Sequence, residues 1–389
     1  MKSKNMNHRT PYVINSCRTI YDRGPAMFPG ITIAQNGDFI LTFCTAPDGL
    51  PGGKVCIIRS PNNGNSWSFP EVIACSSEPD GSALNSVGIT TLRDGTIILP
   101  YNDIQLHGSY SDRTARLFIL RSVDNGFTWS EPIQIAADIY EPFTYGKIIE
   151  LTNGTLLLPI WGRYKKEEKW RAGVLISHDR GNTWDGYRTI AYDPNANLTG
   201  PYSHSEINGF DSNGKIDPTA PYHPDFRAHC PIDGYNETFL SKLPDGKIIA
   251  ILRQQGIGGS DRLEFYRALS ADNGETWSVA EQINLCGMSP CLHWSPRGRL
   301  ILAYRQRFLE EYGDSEYGVA LSWSEDYGRT WEGKLVLKDP KGFSYTAEYQ
   351  SGYPTLVNIG NNKIMVIFYS YDPNLPFKRY LAANILIEE

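Results

Sequence analysis

Apolar and polar positions alternate along this chain in short bursts rather than in helical stripes. Six segments share one design, a turn built on Gly or Asn followed by a brief run of β-branched and aromatic residues: AQNGDFILTF, LRDGTIILPY, LTNGTLLLPI, LPDGKIIAIL, SPRGRLILAY and IGNNKIMVIF. Each reads as a hairpin turn leading into a buried strand. Their markers, Gly37, Gly95, Gly154, Gly246, Gly298 and Asn362, recur at steps of 58, 59, 92, 52 and 64 residues. A step of that size holds one sheet of about four strands. No stretch of useful length shows a 3.6-residue apolar period.

A second pattern falls between these segments. Ser-x-Asp-x-Gly-x-Thr-Trp, or a near copy, occurs at Ser60–Trp67, Ser122–Trp129, Ser177–Trp184, Ser270–Trp277 and Ser324–Trp331. Each copy offers an Asp or Asn that can bond back to the backbone, a Gly free to take positive φ, and a Trp to pack beneath the turn. The reading is a structural corner. Six sheets of equal size arranged radially make an all-β, six-bladed β-propeller, one domain over 1–389. The long step contains an insertion at 192–234, rich in Gly, Pro, Asn, Asp and His, which is expected to fold over a site at the axial face.

Composition narrows the partners. A formal charge of -6 with no basic run speaks against nucleic acid or an anionic membrane surface as the partner. The N-terminal stretch has no apolar core of a signal peptide and no run of eighteen apolar residues occurs, so a cytoplasmic protein without a membrane span is expected. Seven cysteines without regular pairing fit reduced thiols. Cys286 and Cys291 have no second pair to complete a zinc site, and GIGGSDR lacks the context of a phosphate loop, so no metal and no cofactor is expected.

The five corners are similar to the Asp-boxes, or BNR repeats, of the sialidase superfamily, and with the six blade segments the resemblance spans nearly the whole chain. Corners specify a fold, not an activity. The best local match is GYNETFLSKLPDGKIIAILRQQ, where the resemblance implies that Glu237 is a base and Arg253 a clamp for a substrate carboxylate. It further implies a tyrosine nucleophile at Tyr353, in YQSGYPTLVNI, with Tyr349 as its nearest rival, and an acid at Asp48, in FCTAPDGLPGGK. A neutral phenol suits a substrate whose own negative charge would repel a carboxylate nucleophile, and tyrosine glycosidases are a known exception to the two-carboxylate rule.

The chain departs from that family at two arginines. Met27 and Phe28 stand where a first arginine is expected, and Glu316 lies in the region of a third. Other polar and aromatic residues at blade ends are candidates for sugar contacts: Glu141, Asp103, Trp161, Arg163, Arg305 and Arg307. The expected function is an exo-acting glycoside hydrolase, with a glycan as substrate. Three alternatives stay open. Glu141 and Glu237 could act as two carboxylates about 5 Å apart, as in the exo-arabinanases this fold resembles. His204, His223 or His229 with a tyrosine could act as in a polysaccharide lyase. The propeller could also bind glycans without turnover.

Overall fold

The computed structural model describes residues 10–46, 50–76, 82–109, 112–165, 169–194, 234–255, 264–306, 318–344 and 351–389. Among them there are twenty-six strands and no helix. The strands form six antiparallel sheets, as the recurring segments predict, and the chain is an all-β, six-bladed β-propeller.

Blade one runs outward through β2 (Met27–Ile33), β3 (Phe39–Cys44), β4 (Lys54–Ser60) and β5 (Glu71–Cys75). In blade two the inner position is split between β6 (Ser82–Asn85) and β7 (Thr90–Thr91), both paired with β8 (Ile97–Ser109), followed by β9 (Asp112–Ser122) and β10 (Ile133–Ile135). Blade three has β11 (Tyr140–Thr144) and β12 (Ile149–Glu150) inside β13 (Leu156–Arg163), then β14 (Arg171–Ser177) and β15 (Asp185–Tyr192). Blade four comprises β16 (Gly234–Lys242), β17 (Ile248–Gln255), β18 (Glu264–Ser270) and β19 (Glu281–Cys286), and blade five β20 (Met288–Trp294), β21 (Leu300–Gln306), β22 (Gly318–Ser324) and β23 (Glu332–Val336). Blade six is composite. Its β24 (Gly352–Asn358), β25 (Lys363–Tyr371) and β26 (Arg379–Glu388) are completed at the rim by β1 (Tyr12–Tyr21), from the other end of the chain.

Middle strands are covered on both faces by neighbouring blades, so they lose the in-out alternation of a half-exposed sheet. Every residue of β3, β21 and β22 is buried, whereas the rim strand β5 is mostly exposed. This is why the six segments read as continuous apolar runs.

The corner turns behave as their sequence predicts. In four copies the Asp carboxylate accepts from the Thr amide and hydroxyl four residues on, as Asp124 does from Thr128 at 2.9 and 2.6 Å, while the Ser hydroxyl accepts from the Gly amide. In the first copy Asn62 keeps the wiring, its Oδ1 accepting from Ser66 N and its Nδ2 donating to Ser66 Oγ. The corners also join blades. A Cβ on Gly126 would meet Ile40 of blade one, on Gly181 Ile98 of blade two, on Gly274 Leu157 of blade three and on Gly328 Ile249 of blade four. Gly64 of blade one closes the circle against Met365 of blade six.

Candidate active site

The inner strands of five blades share a defect at the end where they begin. Phe28, Glu141, Glu237, Ser289 and Tyr353 all have positive φ, between 40° and 55°. At each, pairing with the second strand slips by one residue: the breaks lie between Met27 and Gly30, Tyr140 and Phe143, Asn236 and Phe239, Met288 and Cys291, and Gly352 and Thr355. A bulge of this kind re-aims the side chain of the extra residue. Holding a non-glycine residue in the left-handed region costs about 1–3 kcal/mol, and such strain gathers where a side chain must point in one direction. The residues paired just before the bulge are Cys44, Arg163, Arg253, Arg305 and Tyr369, each near the end of its second strand. Bulge residues and their partners therefore lie at one mouth of the wheel.

At this mouth Tyr353 and Glu237, 116 residues apart in sequence, meet. The phenol donates to Glu237 Oε1 at 3.1 Å. Glu237 is 5% exposed, and its Oε2 accepts from the Ser289 amide at 2.8 Å and from Arg253 Nη1 at 3.1 Å. The Ser289 hydroxyl lies 3.5 Å from Oε1. Two donors fix one carboxylate oxygen and the other faces the phenol, so the pair is oriented for proton transfer between them.

Aromatic rings wall the phenol. Phe28 meets the Tyr353 ring edge-on at 4.6 Å between centroids, and Tyr145 and Tyr369 lie at 5.9 and 6.0 Å. Tyr145 donates to Pro290 O at 3.0 Å. Burial, and then the charges of Glu237 and Tyr353, push its hydroxyl well above the usual phenol range, which keeps it neutral. Phe28 occupies the place at which the resemblance implied an arginine, and what it supplies there is a packing surface.

Blade three repeats the arrangement of blade four with a difference. Glu141 Oε2 accepts from both Nε and Nη2 of Arg163, at 3.0 and 2.6 Å, and both residues are buried. Trp161 stacks on Trp170 at 3.7 Å and on Phe143 at 4.5 Å and remains half-buried. Asp103, on β8, is buried and held by Arg116 at 2.8 Å. Arg305, on β21, is buried beside Gly352, where a Cβ would stand 3.0 Å from its Cδ. Of the sequence-derived candidates, Glu237, Tyr353 and Arg253 are thus in one hydrogen-bonded group, with Arg305 at its edge, while Glu141 pairs with Arg163 and Asp103 with Arg116. Asp48, Arg307, Glu316, Tyr349, His204, His223, His229 and nearly all of the 192–234 insertion lie outside the described residues.

Sequence reasoning missed Ser289 and the shared bulge. A signal existed. Phe28, Glu237, Ser289 and Tyr353 each precede their hairpin marker, Gly37, Gly246, Gly298 and Asn362, by nine residues, and Phe28, Glu141, Ser289 and Tyr353 are each followed by Pro. Among the described residues no group of three or more His, Cys, Asp or Glu side chains is placed to hold a metal ion, and the six described cysteines are free thiols.

The BNR repeat-like domain matches residues 51–366. A sialidase of Clostridium perfringens is 23% identical over 261 residues, 63% of this chain and 59% of that protein, and a sialidase of Bacteroides fragilis (strain YCH46) is 32% identical over 83 residues, 20% of this chain and 15% of that protein. The chain therefore matches less than two thirds of either relative's length. Among solved structures, a protein of unknown function from Dyadobacter fermentans DSM 18053 has a TM-score of 0.74 at 20% identity, covering 98% of this chain and 100% of that one. The Hadza microbial sialidase Hz136 has 0.67 at 16%, covering 95% and 68%, and Penicillium chrysogenum α-L-arabinanase complexed with arabinobiose has 0.62 at 14%, covering 96% and 98%. At these identities the likeness establishes the fold alone. The six blades, the five corners and a family match spanning most of the sequence together make this chain a member of the BNR repeat-like domain family, a propeller of the sialidase superfamily.

Proposed function

We propose that the protein is an exo-acting glycoside hydrolase that releases a terminal acidic sugar with retention of configuration, using Tyr353 as nucleophile and Glu237 as its base. The observation that carries this reading is the 3.1 Å hydrogen bond from the Tyr353 phenol to Glu237 Oε1. In the first step the phenol proton passes to Glu237, the phenol oxygen bonds to the anomeric carbon, and the bond to the departing oxygen breaks. Asp48, outside the described residues, is the proposed donor of the proton that oxygen takes up. Water then attacks the anomeric carbon, giving its proton to the Asp48 carboxylate left by the first step, while the sugar–tyrosine bond breaks and Glu237 returns a proton to the phenol oxygen. Arg253 has two duties in this scheme, fixing Glu237 and meeting the anionic group of the sugar. The described flank of the insertion reaches the same mouth, where Asp193 Oδ2 accepts from Gln254, next to Arg253, at 3.3 Å.

The two-carboxylate alternative is disfavoured by geometry. Both glutamates have one oxygen held by an arginine, as Glu141 Oε2 is by Arg163, but Glu237 Oε1 accepts from the Tyr353 phenol, the pairing that a tyrosine nucleophile needs. Aryl glycosides of sialic acid, of related sugar acids and of arabinofuranose test the reading. Turnover of an acidic glycoside, lowered about 10³-fold or more in Glu237→Gln and in Tyr353→Phe with the fold intact, is the expected result. Arabinofuranoside turnover that depends on Glu141 would replace it with the two-carboxylate mechanism. Binding without turnover would leave a glycan-binding propeller.

A further inference from the structure

Tyr145 lies between β11 and β12, and the backbone on each side of it is pinned by other blades. Before it, Asn102 of blade two holds two consecutive links of the chain: its Nδ2 donates to Pro142 O at 2.6 Å, and its Oδ1 accepts from the Thr144 amide at 2.8 Å. After it, Gly146 takes a φ of 80° in a tight space, where a Cβ would stand 3.0 Å from the Phe239 ring and 3.1 Å from Thr238 O of blade four. On its other side, a Cβ on Gly88 of blade two would run into Gly146 O. Held from both directions, the buried Tyr145 side chain reaches through the hub. Its phenol donates to Pro290 O of blade five at 3.0 Å, and blades three and five are not neighbours in the ring.

The carbonyl it meets belongs to a strained piece of chain. Pro290 directly follows Ser289, whose φ of 53° is unfavourable for a residue with a Cβ and whose amide donates to Glu237 Oε2 at 2.8 Å. Both ends of the bulge are thus engaged, the carbonyl after it by Tyr145 and the amide before it by Glu237. The ring of Pro290 fixes its own φ, so few dihedrals remain through which Ser289 could relax while that carbonyl is held. Relaxation of Ser289 to ordinary extended backbone would turn its amide away from Glu237. Burial raises the Tyr145 hydroxyl well above the usual phenol range, so the donor keeps its proton through neutral pH.

We infer that Tyr145 is a positioning residue for Glu237: by holding Pro290 O it keeps the Ser289 bulge left-handed and its amide on Oε2, which leaves Oε1 turned towards the Tyr353 phenol. Tyr145 acts through the backbone and touches no reacting atom. The inference rests on the tyrosine-nucleophile reading above and deepens it, while the amide contact it concerns can be read without turnover.

The test uses the full chain carrying Tyr145→Phe, which keeps the ring and removes the hydroxyl. Two quantities are measured: the chemical shift of the Ser289 amide proton, in protein grown on isotopically labelled serine and assigned from its absence in Ser289→Gly, and kcat and KM on an acidic aryl glycoside. The amide proton is expected to move upfield in Tyr145→Phe, towards its position in Glu237→Ala. On the scale at which small displacements of reacting groups cost rate, kcat is expected to fall about 10- to 100-fold with KM changed less than twofold. Glycine holds a left-handed φ without help, so adding Ser289→Gly to Tyr145→Phe is expected to restore kcat to within about threefold of the parent. An unmoved amide proton, an unchanged kcat, KM rising in step with the loss of kcat, or no restoration by Ser289→Gly would overturn the assignment. So would failure of Tyr145→Phe to fold, which would mark the hydroxyl as structural. If the parent turns over no glycoside, the hydrolase reading falls and the amide proton alone decides: movement sustains the positioning role, and an unmoved resonance ends it.

Discussion

Five non-glycine residues hold a left-handed backbone at one level of the wheel, and each directs its side chain from the start of an inner strand. For Ser289 the useful group is the amide, which donates to Glu237 at 2.8 Å, so the side chain is secondary. Glycine adopts this φ freely and keeps the amide, whereas a β-branched residue resists it. Ser289→Gly is expected to unfold in urea within about 0.5 kcal/mol of the parent and to retain turnover, while Ser289→Val is expected to lose about 1–3 kcal/mol and most activity. Loss of turnover in the folded glycine variant would show that the hydroxyl, not the amide, positions Glu237. Glu237, Arg253 and Tyr353 were legible as residues because they occupy recognisable places in their strands. Their hydrogen bonds were not, because contact across 116 residues depends on how blades four and six close around the hub.

Among the elements, the corner turn shows most directly how local chemistry becomes architecture. The carboxylates of Asp124 and Asp179 are held down at about 2, chiefly by hydrogen bonds from Thr128 and Thr183. A carboxyl lowered in the folded state contributes stability above its ordinary range near 4, and that contribution is lost as pH falls through the interval towards 2. Asn62 shows that an amide serves the same turn without titrating. Asp124→Asn is thus expected to leave the thermal midpoint near pH 7 little changed and to flatten its decline between pH 4 and 2, measured by calorimetry across pH; an unchanged acid limb would contradict this.

The corner glycines separate backbone need from packing. Gly246, in a blade hairpin with φ 86°, has nothing near a prospective Cβ, while Gly274, with φ 91°, has Leu157 of the preceding blade at 2.9 Å. Alanine at either meets the same left-handed penalty of about 1 kcal/mol. Only at 274 must a neighbouring blade also give way, so Gly274→Ala is expected to cost about 1–3 kcal/mol more than Gly246→Ala in chemical denaturation. Equal costs would show that the corner does not bind blade to blade. The repeated motif was plain in the sequence, but its contact with the preceding blade had no local signature.

At the scale of the molecule, closure of the ring depends on β1, which brings the N-terminal segment to the rim of blade six. Tyr12 is buried in the core, its ring 5.6 Å from Trp323 of blade five and its hydroxyl 3.4 Å from Glu388 Oε1. Glu388 in turn accepts from Ser295 Oγ, the Arg297 amide and Arg299 Nη1, at 2.8, 3.0 and 2.9 Å, and so ties the end of blade six to blade five. Removing residues 1–21 would expose the edge of β26 and leave Glu388 without its phenol. The truncated chain is expected to lose the cooperative thermal transition and to aggregate; a cooperative transition within a few degrees of the parent would show that the ring closes without its outer strand.

The strands, their grouping into six sheets and the chemistry of the corners could be read along the chain, because each depends on residues close together in it: an Asp and a Thr four apart, or a Gly beside an apolar run. The sequence also offered Glu237, Arg253 and Tyr353 as candidates, which the fold brings into one hydrogen-bonded group. Which polar groups are consumed by neighbours and which face one another was set by the tertiary fold: Glu141 is held by Arg163, and Glu237 is shared by Arg253, Ser289 and Tyr353. The reason is that a propeller brings the ends of all its blades to one mouth, so the partners of each side chain are set by the curvature of the ring and not by distance along the chain.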